Sequence, residues 1–311
     1  MESYLETFLR DFEYPEECAE LLSECYRSIG ADPEKSKLLQ AAKAAYAENP
    51  NVKFAVLEET VRAICQGFRF GEYTVWLLLW ILLSEHLREL YAQNGIDPAI
   101  WRESMLDLKC KAEECKTVKG IWGTFVASWF PNFFRLKRFA FGRLQFELAK
   151  FESDRFVCRD GTVLKRGRRV LAVHIPKSEQ PLSKENCDAS YQAAATFFAK
   201  KFRGGKVIFT CHSWMLYPKN SEILHEKSNT RRFGEEYEII SVTQNPPGEH
   251  PDAWRIFDVD PNGNIGSLPE DSHLRRAYKA YMQGGGITGK AYGVKLMPKR
   301  THRKRMKQRK E

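Results

Sequence analysis

The sequence predicts an α+β protein in which an all-helical N-terminal domain precedes a mixed α/β domain. The chain has 311 residues with 43% hydrophobic content, which is enough to fill two ordinary cores. Residues 1–117 show apolar side chains at helical spacing and almost no strand signal. From residue 118 onward, β-rich segments alternate with helical ones, so we place the second domain at 118–298.

The first helix is predicted from the segment ESYLETFLRDF, whose apolar residues recur at helical spacing. Pro15 opens a second helix, and Asp32 caps a third that starts with a proline. Further helices are predicted at 54–67, 72–94 and 98–116. The run TVWLLLWILL has nine apolar residues in ten. Because a membrane span needs roughly 20 such residues, we interpret this run as a core helix.

The second domain begins with an aromatic segment at 121–140 and continues with strands and helices. Strands are predicted at 141–149, on both sides of Asp160-Gly161, and at 168–176, 207–213, 235–242, 253–259 and 290–297. Helices are predicted from Ser183 to the Gly204-Gly205 pair, at 218–226 and after Ser272. About 30 residues separate Pro176 from Val207, which is the length of a helical crossover. The strands on either side of this crossover should therefore lie parallel.

The net charge of +9 is concentrated at the C-terminus of the chain. The segment KRTHRKRMKQRKE, residues 299–311, holds eight Lys/Arg and one Glu, and the remainder is nearly neutral. We predict a disordered basic tail at 299–311. This tail either solubilises the chain or contacts RNA, the ribosome or another anionic surface, with no aromatic residue available for base stacking.

Eight cysteines are scattered among apolar neighbours without the spacing of a zinc site. The chain opens on the acidic, amphipathic segment MESYLETFLR rather than a secretory signal. We therefore expect reduced thiols, a cytoplasmic location, no metal and no membrane partner.

Polar side chains follow both parallel strands at their carboxyl ends, where ligands bind in open α/β sheets. His174 ends the first strand, and Cys211, His212, Ser213 and Trp214 end the second. Side chains alternate along a strand, so Cys211 and Ser213 should share one face, opposite His212. Each residue also has a structural interpretation: a hydrogen-bonded core histidine, a small apolar cysteine, a packing tryptophan. Because these polar residues meet at two neighbouring strand ends, we favour a ligand-binding cleft over separate structural roles.

A thiol nucleophile is a minor alternative. Cys211 and His212 are adjacent on a strand and point to opposite faces, which makes them a poor dyad. A thiol hydrolase would need another histidine, and His174 is the candidate.

Five segments carry a family resemblance when they occur in this order: RLKRFAFGRLQFE, VLAVHIPKSEQPLS, CDASYQAAATFFAKKF, CHSWML and SNTRRF. Behind a helical N-terminal domain, they resemble the bacterial acyltransferase-domain proteins. These proteins combine an N-acyltransferase N-terminal helical domain with a GNAT-like C-terminal domain, and the resemblance covers most of residues 1–297. It implies a GNAT-like fold, in which two parallel strands splay apart and acyl-CoA lies in the opening.

The resemblance also implies where acyl-CoA binds. The strand VLAVHIP looks like the one whose backbone amides, at Val173 and Ile175, receive the thioester carbonyl. The following helix offers its N-terminus to the pyrophosphate, through Asn186, Cys187, Asp188 and Ser190. GNAT enzymes typically carry Gln/Arg-x-x-Gly-x-Gly/Ala before that helix, whereas PKSEQPLSKEN contains no glycine. The segment QGGGITG, 283–289, follows a helix and precedes a strand, so we interpret it as a helix stop.

Acyl transfer requires a neutral amine, a polarised carbonyl and a proton for the leaving thiolate. We predict that His174 and His212 act as the base that deprotonates the amine or as hydrogen-bond partners that orient it. Ser213, with Tyr217 as the alternative, would supply the proton to the leaving thiolate. Candidate acceptor-binding residues are Cys211, Trp214, Ser228 and Asn229, of which the last two have turn capping as their structural alternative.

The function predicted is a GNAT-like N-acyltransferase that transfers an acyl group, with acetyl favoured, from acyl-CoA to a small-molecule or peptide amine. Acyl-CoA is the co-substrate. One alternative is a non-catalytic GNAT-like protein that binds CoA or a peptide, which the missing glycines favour. A second alternative is an RNA- or ribosome-associated factor that makes a weak nucleic-acid contact through residues 299–310.

Overall fold

The computed structural model describes residues 3–259 and 264–299. The chain forms two compact units, Met1–Ala140 and Phe141–Glu311. The predicted α+β class is confirmed, since a helical unit precedes a unit built on a mixed sheet. Of the predicted tail, residues 300–311 lie outside the described part of the chain.

Helices α1 to α6 make up most of the first unit. They are α1 (Tyr4–Asp11), α2 (Glu16–Ala31), α3 (Pro33–Glu48), α4 (Phe54–Cys65), α5 (Glu72–Gln93) and α6 (Pro98–Lys119). Capping side chains fix where they start. Ser3 and Glu6 form a reciprocal capping box on α1, and Asp32 accepts hydrogen bonds from the Glu34 and Lys35 amides at the start of α3.

Helix α5 forms the centre of the first unit. Every residue of its segment 74–83 is buried, as expected of a helix that is apolar all round. This run is therefore the core helix that the sequence predicts. Among the residues that the structure describes, no helix is both long enough and apolar enough to cross a membrane.

The aromatic segment after α6 packs on the same core. Helix α7 (Pro131–Phe134) begins at a proline, and the Trp80 ring centroid lies 4.7 Å from that of Phe134 and 5.9 Å from that of Phe130. This packing places the segment in the first unit. The compact unit accordingly extends to Ala140, beyond the domain boundary that we predict at 117.

A six-stranded sheet forms the frame of the second unit, in the order β1-β2-β5-β6-β8-β7. The strands are β1 (Arg138–Phe141), β2 (Leu144–Lys150), β3 (Arg155–Val157), β4 (Val163–Lys165), β5 (Arg169–His174), β6 (Lys206–Ser213), β7 (Glu238–Gln244) and β8 (Gly289–Pro298). Strands β3 and β4 form the predicted separate hairpin around Asp160-Gly161. The helices are α8 (Lys184–Phe197), α9 (Asn220–Ile223), α10 (Asn229–Glu235), α11 (Ala253–Phe257) and α12 (His273–Gln283).

The crossover from β5 to β6 is confirmed, since the two strands are parallel neighbours and α8 connects them. Helix α8 packs on one face of the sheet through Tyr191. Its ring centroid lies 5.7 Å from that of Phe146 on β2 and 5.0 Å from that of Phe209 on β6, both in edge-on geometry. Tyr191 thus holds together strands on both sides of β5.

The strand predicted at 253–259 is wrong, because residues Ala253–Phe257 form helix α11. Ile256 and Phe257 lie one helical turn after Ala253, and all three are buried in a cluster with Trp214 and Tyr278. The residues that follow Ser228 also form a helix, α10, which the sequence analysis reads as a turn. Both helices are short, so tertiary burial decides their conformation.

We predict that Phe209→Ala lowers the free energy of unfolding by about 3–5 kcal/mol. Phe209 is fully buried between Phe146 and Tyr191, so truncation leaves a cavity where three rings now pack. Urea unfolding monitored by circular dichroism measures the loss. The exposed Val242→Ala serves as a control and should change stability by at most about 0.5 kcal/mol. Equal effects of the two substitutions would contradict this description of the core.

Candidate active site

Strands β5 and β6 pair briefly and then part. Their parallel ladder contains the two pairs Leu171–Phe209 and Ala172–Thr210. On the outer sides the ladders continue, since β2 pairs with β5 as far as His174 and β8 pairs with β6 as far as Ser213. Among the described residues, the facing edges of β5 and β6 beyond these two pairs therefore have no ladder across the gap. The carboxyl ends of the two strands are therefore not paired with each other, and we interpret this end of the ladder as an opening between the strands.

A carboxylate and an imidazole lie together beside this opening. The Nε2 atom of His174 is 3.4 Å from Oε2 of Glu147, and the two side chains are 25% and 18% exposed. The β2–β5 register sets Gln145 opposite His174 and Glu147 opposite Ala172. Paired residues project to the same side, so all three polar side chains occupy one face of the sheet.

Gln145 is a buried member of this group. Gln145 is 2% exposed, and its Oε1 atom has no hydrogen-bond partner among the residues that the structure describes. An unpaired buried amide oxygen costs free energy, and such atoms in native structures call for an explanation. Because Gln145 pairs with His174 across the ladder, this acceptor lies next to the candidate base.

His212 lies on the other side of the opening, two residues beyond the last pair on β6. The alternation along the strand puts it on the same face as His174. Its ring is exposed and meets Tyr292 edge-on at a centroid distance of 6.1 Å. Desolvation, and then the nearby Lys290 ammonium, lower the pKa of His212 below its usual value of 6.5. The neutral imidazole is therefore favoured at neutral pH.

Cys211 and Ser213 point to the opposite face, as predicted from the alternation. Cys211 is buried, and burial raises the pKa of its thiol well above the usual value. The thiol therefore stays protonated, which removes the reactive form that a nucleophile needs. Ser213 accepts a hydrogen bond from the Met215 amide at 3.1 Å and caps the short 3₁₀ turn that ends β6.

The remaining predicted site residues make local structural contacts. Trp214 is buried against Tyr278, with ring centroids 5.5 Å apart. Tyr217 is buried and donates its hydroxyl proton to the Ile287 carbonyl at 3.0 Å. Ser228 caps helix α10 by accepting from the Arg231 amide, and the exposed Asn229 is the first residue of that helix.

The start of α8 is an ordered helix N-terminus. Ser183 accepts from the Asn186 amide at 3.3 Å, and the Asn186 side chain donates to the Pro181 carbonyl at 3.0 Å. Asp188 is engaged with Lys184 at 2.6 Å. Cys187 is buried, which raises its pKa to about 11. Backbone amides of the first turn, rather than these side chains, are the groups that an anion would meet here.

Arg143 ties this region together, and the sequence analysis did not single it out. Its guanidinium donates to the Pro176 carbonyl at 2.8 Å, at the start of the glycine-free segment after β5. Its own amide donates to Ser190 Oγ on α8 at 3.0 Å, and Ser190 in turn donates to the Asn186 carbonyl. This arginine therefore links the segment that leads into α8 to the helix itself.

Sequence reasoning also missed Gln145 and Glu147. A signal was present, because β2 reads LQFELAK, with two polar residues at alternating positions in an apolar strand. That pattern places both side chains on one face of the sheet. The sequence of β2 alone does not reveal that this polar face lies beside His174 of β5.

Two protein-family descriptions match the chain almost from end to end. The N-acyltransferase N-terminal domain matches residues 3–136, and the GNAT-like C-terminal domain matches residues 138–295. The chain belongs to the GNAT-like C-terminal domain family. This GNAT-like protein has the two-domain composition that the sequence resemblance predicts. The comparison with curated proteins finds no match.

Solved acyltransferase structures share the fold of this GNAT-like protein. One, an acyltransferase in complex with decanoyl-CoA and teicoplanin, superposes with a TM-score of 0.72 at 22% identity. Another, in complex with CoA and 10C-teicoplanin, gives a TM-score of 0.70 at 23% identity. Each comparison covers 93% of this chain and 86% of the other. A mutant acyltransferase in complex with octanoyl-CoA gives a TM-score of 0.71 at 22% identity, with the same coverage.

We predict that the ring protons of His212 titrate with a midpoint below 6.5, measured by NMR and assigned by their loss in His212→Gln. A lowered pKa in the folded state means that the unfolded state binds this proton more readily. The His212 contribution to stability is therefore fully present above the unfolded pKa of about 6.5 and is lost as the pH falls from there through the lower pKa of the folded state. A midpoint above 6.5 would contradict this description of its environment.

Proposed function

We propose that this protein transfers an acyl group from acyl-CoA to an amine, with His174 as the general base. One observation carries the proposal: β5 and β6 part after two residue pairs, directly beside the His174–Glu147 contact. A thioester placed in the opening would meet unpaired main-chain groups of β5 and, at the end of the same strand, the His174 base. Acyl transfer needs both elements.

The inner edge of β5 supplies the carbonyl-binding groups in this proposal. The main-chain amides near Val173 and Ile175 would donate to the thioester oxygen and stabilise the negative charge that develops there. Because β2 holds β5 through His174 on its outer side, the Val173 amide is fixed in place before the substrate arrives, and Ile175 follows directly after the end of that ladder. Such preorganised donors lower the barrier without reorganising during the reaction.

His174 would accept the proton of the attacking ammonium group in this mechanism. The Glu147 carboxylate beside Nε2 orients the ring and stabilises the imidazolium that forms. The neutral amine nitrogen then bonds to the acyl carbon and loses its second proton to solvent water, the carbon–sulfur bond breaks, and the imidazolium returns its proton to the CoA thiolate. His212, across the opening and favoured in its neutral form, is the alternative base.

Ser213 and Tyr217 fit the role of proton donor less well than the imidazolium does. Each already holds a structural hydrogen bond, Ser213 to the Met215 amide and Tyr217 to the Ile287 carbonyl. Using either as an acid would break the bond that orders its loop. The imidazolium of His174 needs no such rearrangement, so the proposal assigns both proton transfers to one residue.

The pyrophosphate of CoA would bind at the start of α8. This helix has fourteen residues, a serine cap and first-turn amides that favour an anion. The preceding segment lacks the glycines of typical GNAT enzymes, and Arg143 holds it at the Pro176 carbonyl instead. The fold-related acyltransferases bind octanoyl- and decanoyl-CoA, so the proposal covers acyl chains longer than acetyl, on a small-molecule or peptide amine.

We predict that His174→Ala lowers kcat/KM by about 10²-fold or more, since a general base contributes that much to the rate. Release of free CoA is measured with a thiol reagent, using acetyl-, octanoyl- and decanoyl-CoA with a panel of primary amines. His212→Ala is the matched control and should retain most of the activity. Full activity of both variants would remove the imidazoles from the mechanism.

The same assay separates catalysis from binding alone. If CoA raises the melting temperature of the protein while no amine supports CoA release, this protein is a non-catalytic CoA-binding member of its family. The segment before α8 lacks the glycines with which typical GNAT enzymes bind pyrophosphate, and this absence favours the second function.

We further predict that Glu147→Gln lowers kcat about tenfold and leaves KM for acyl-CoA unchanged, because the carboxylate acts through the imidazolium. Glu147→Ala should lower kcat further, since the side chain that positions the ring is then lost. Steady-state kinetics with saturating amine measures both parameters. A rise in KM with unchanged kcat would place Glu147 in substrate binding instead.

A further inference from the structure

The β3–β4 hairpin presents an exposed apolar pair between exposed cations. Val157 pairs with Val163 in its ladder, and the two residues are 48% and 39% exposed. The neighbouring pair on the same outward face is Arg155 and Lys165, both exposed. The opposite side of the hairpin is anchored by the buried Leu164. The outward face therefore combines two aliphatic side chains with two positive charges.

This hairpin lies within a larger positive surface, which we call the basic face. Its twelve basic residues are Lys150, Arg155, Arg159, Lys165, Arg166, Arg168, Arg169, Lys200, Lys201, Arg203, Lys206 and Lys299. All except Lys299 are exposed. The segments 150–169 and 199–206, which hold all of them except Lys299, contain three acidic residues. The basic face therefore carries a strong positive charge.

Direct contacts show that these segments adjoin one another. The Lys206 ammonium group contacts Asp160 at 2.6 Å, which ties the hairpin loop to the start of β6. Arg169, at the start of β5, donates to the Lys201 carbonyl at 2.7 Å. The Lys299 amide donates to the Gly205 carbonyl at 2.7 Å. The basic face is thus one continuous surface at the amino ends of the two parallel strands.

Few of these charges are neutralised within the protein. Among the described residues, Arg166 pairs with Asp154 and Lys206 pairs with Asp160, and the other ten form no ion pair. Ten uncompensated cations in one region repel one another, and an anionic partner relieves that repulsion. Residues 300–311, which follow Lys299 directly in the sequence, also carry a net positive charge.

We propose that the basic face binds an anionic lipid bilayer, with the Val157–Val163 pair entering the headgroup region. Peripheral membrane binding combines aliphatic side chains with surrounding Lys and Arg, and neither contribution suffices alone. A nucleic acid fits this surface less well, because base stacking uses exposed aromatic rings and the hairpin exposes valines. Peripheral binding requires no membrane-spanning segment, so it is compatible with the absence of a spanning helix among the described residues.

Vesicle co-sedimentation of the full chain tests the proposal. The probes are vesicles of phosphatidylcholine alone and of equal parts phosphatidylcholine and phosphatidylglycerol. We expect binding to the anionic vesicles, weakened at least about tenfold between about 0.1 M and about 0.5 M KCl by screening.

The double variant R155Q/K165Q should bind the anionic vesicles about 20-fold more weakly than the parent protein, since each cation near the surface contributes several-fold to the affinity. V157S/V163S should bind about tenfold more weakly.

The matched control is K37Q/K53Q, which removes two exposed lysines from the first unit and should bind as the parent does. Thermal unfolding checks that every variant remains folded. Equal weakening by the control, or unchanged binding of the hairpin variants, would overturn the proposal. The proposal would also be overturned if the protein bound no vesicles and instead bound a single-stranded RNA oligonucleotide with an affinity that V157S/V163S leaves unchanged. Truncation after Lys299 tests the tail, and loss of all binding in this variant alone would also overturn the assignment to the hairpin.

Discussion

The structure depends on the interruption of one parallel ladder. Peptide groups without partners are costly in a sheet interior, yet β5 and β6 form two residue pairs and then separate. The separation is tolerated because each strand has a longer antiparallel partner outside, six residue pairs with β2 and eight with β8. These outer ladders keep both strands extended, so the unpaired groups line an opening that a substrate could fill.

Packing beneath the opening keeps the separation local. Tyr191 on α8 contacts Phe146 and Phe209, so an apolar cluster holds the sheet together at the level where β5 and β6 still pair. On the opposite face, His174 lies two residues beyond the last pair on β5, and Glu147 contacts it from the level of that pair. Apolar packing and polar side chains thus occupy the two faces of the same strands.

The sequence predicts features that depend on local patterns and misses those that depend on partners. The crossover length, the hairpin at Asp160-Gly161 and the serine caps of α8 and α12 follow from spacing and capping chemistry. Helix α11 was mistaken for a strand because five residues carry too little periodicity to separate the two conformations. Glu147 was missed because its contact with His174 arises only from the β2–β5 register, and the capping bond of Ser213 was missed because it depends on the turn that follows β6.

The short contact between β5 and β6 has a mechanical consequence. It divides the sheet into two halves, β1-β2-β5 and β6-β8-β7, that share a seam of two residue pairs. Rotating one half against the other disturbs few main-chain bonds, whereas bending either half would break many. Few main-chain hydrogen bonds therefore join the halves across this seam, and the contacts of Tyr191 with Phe146 and with Phe209 join them by side-chain packing instead.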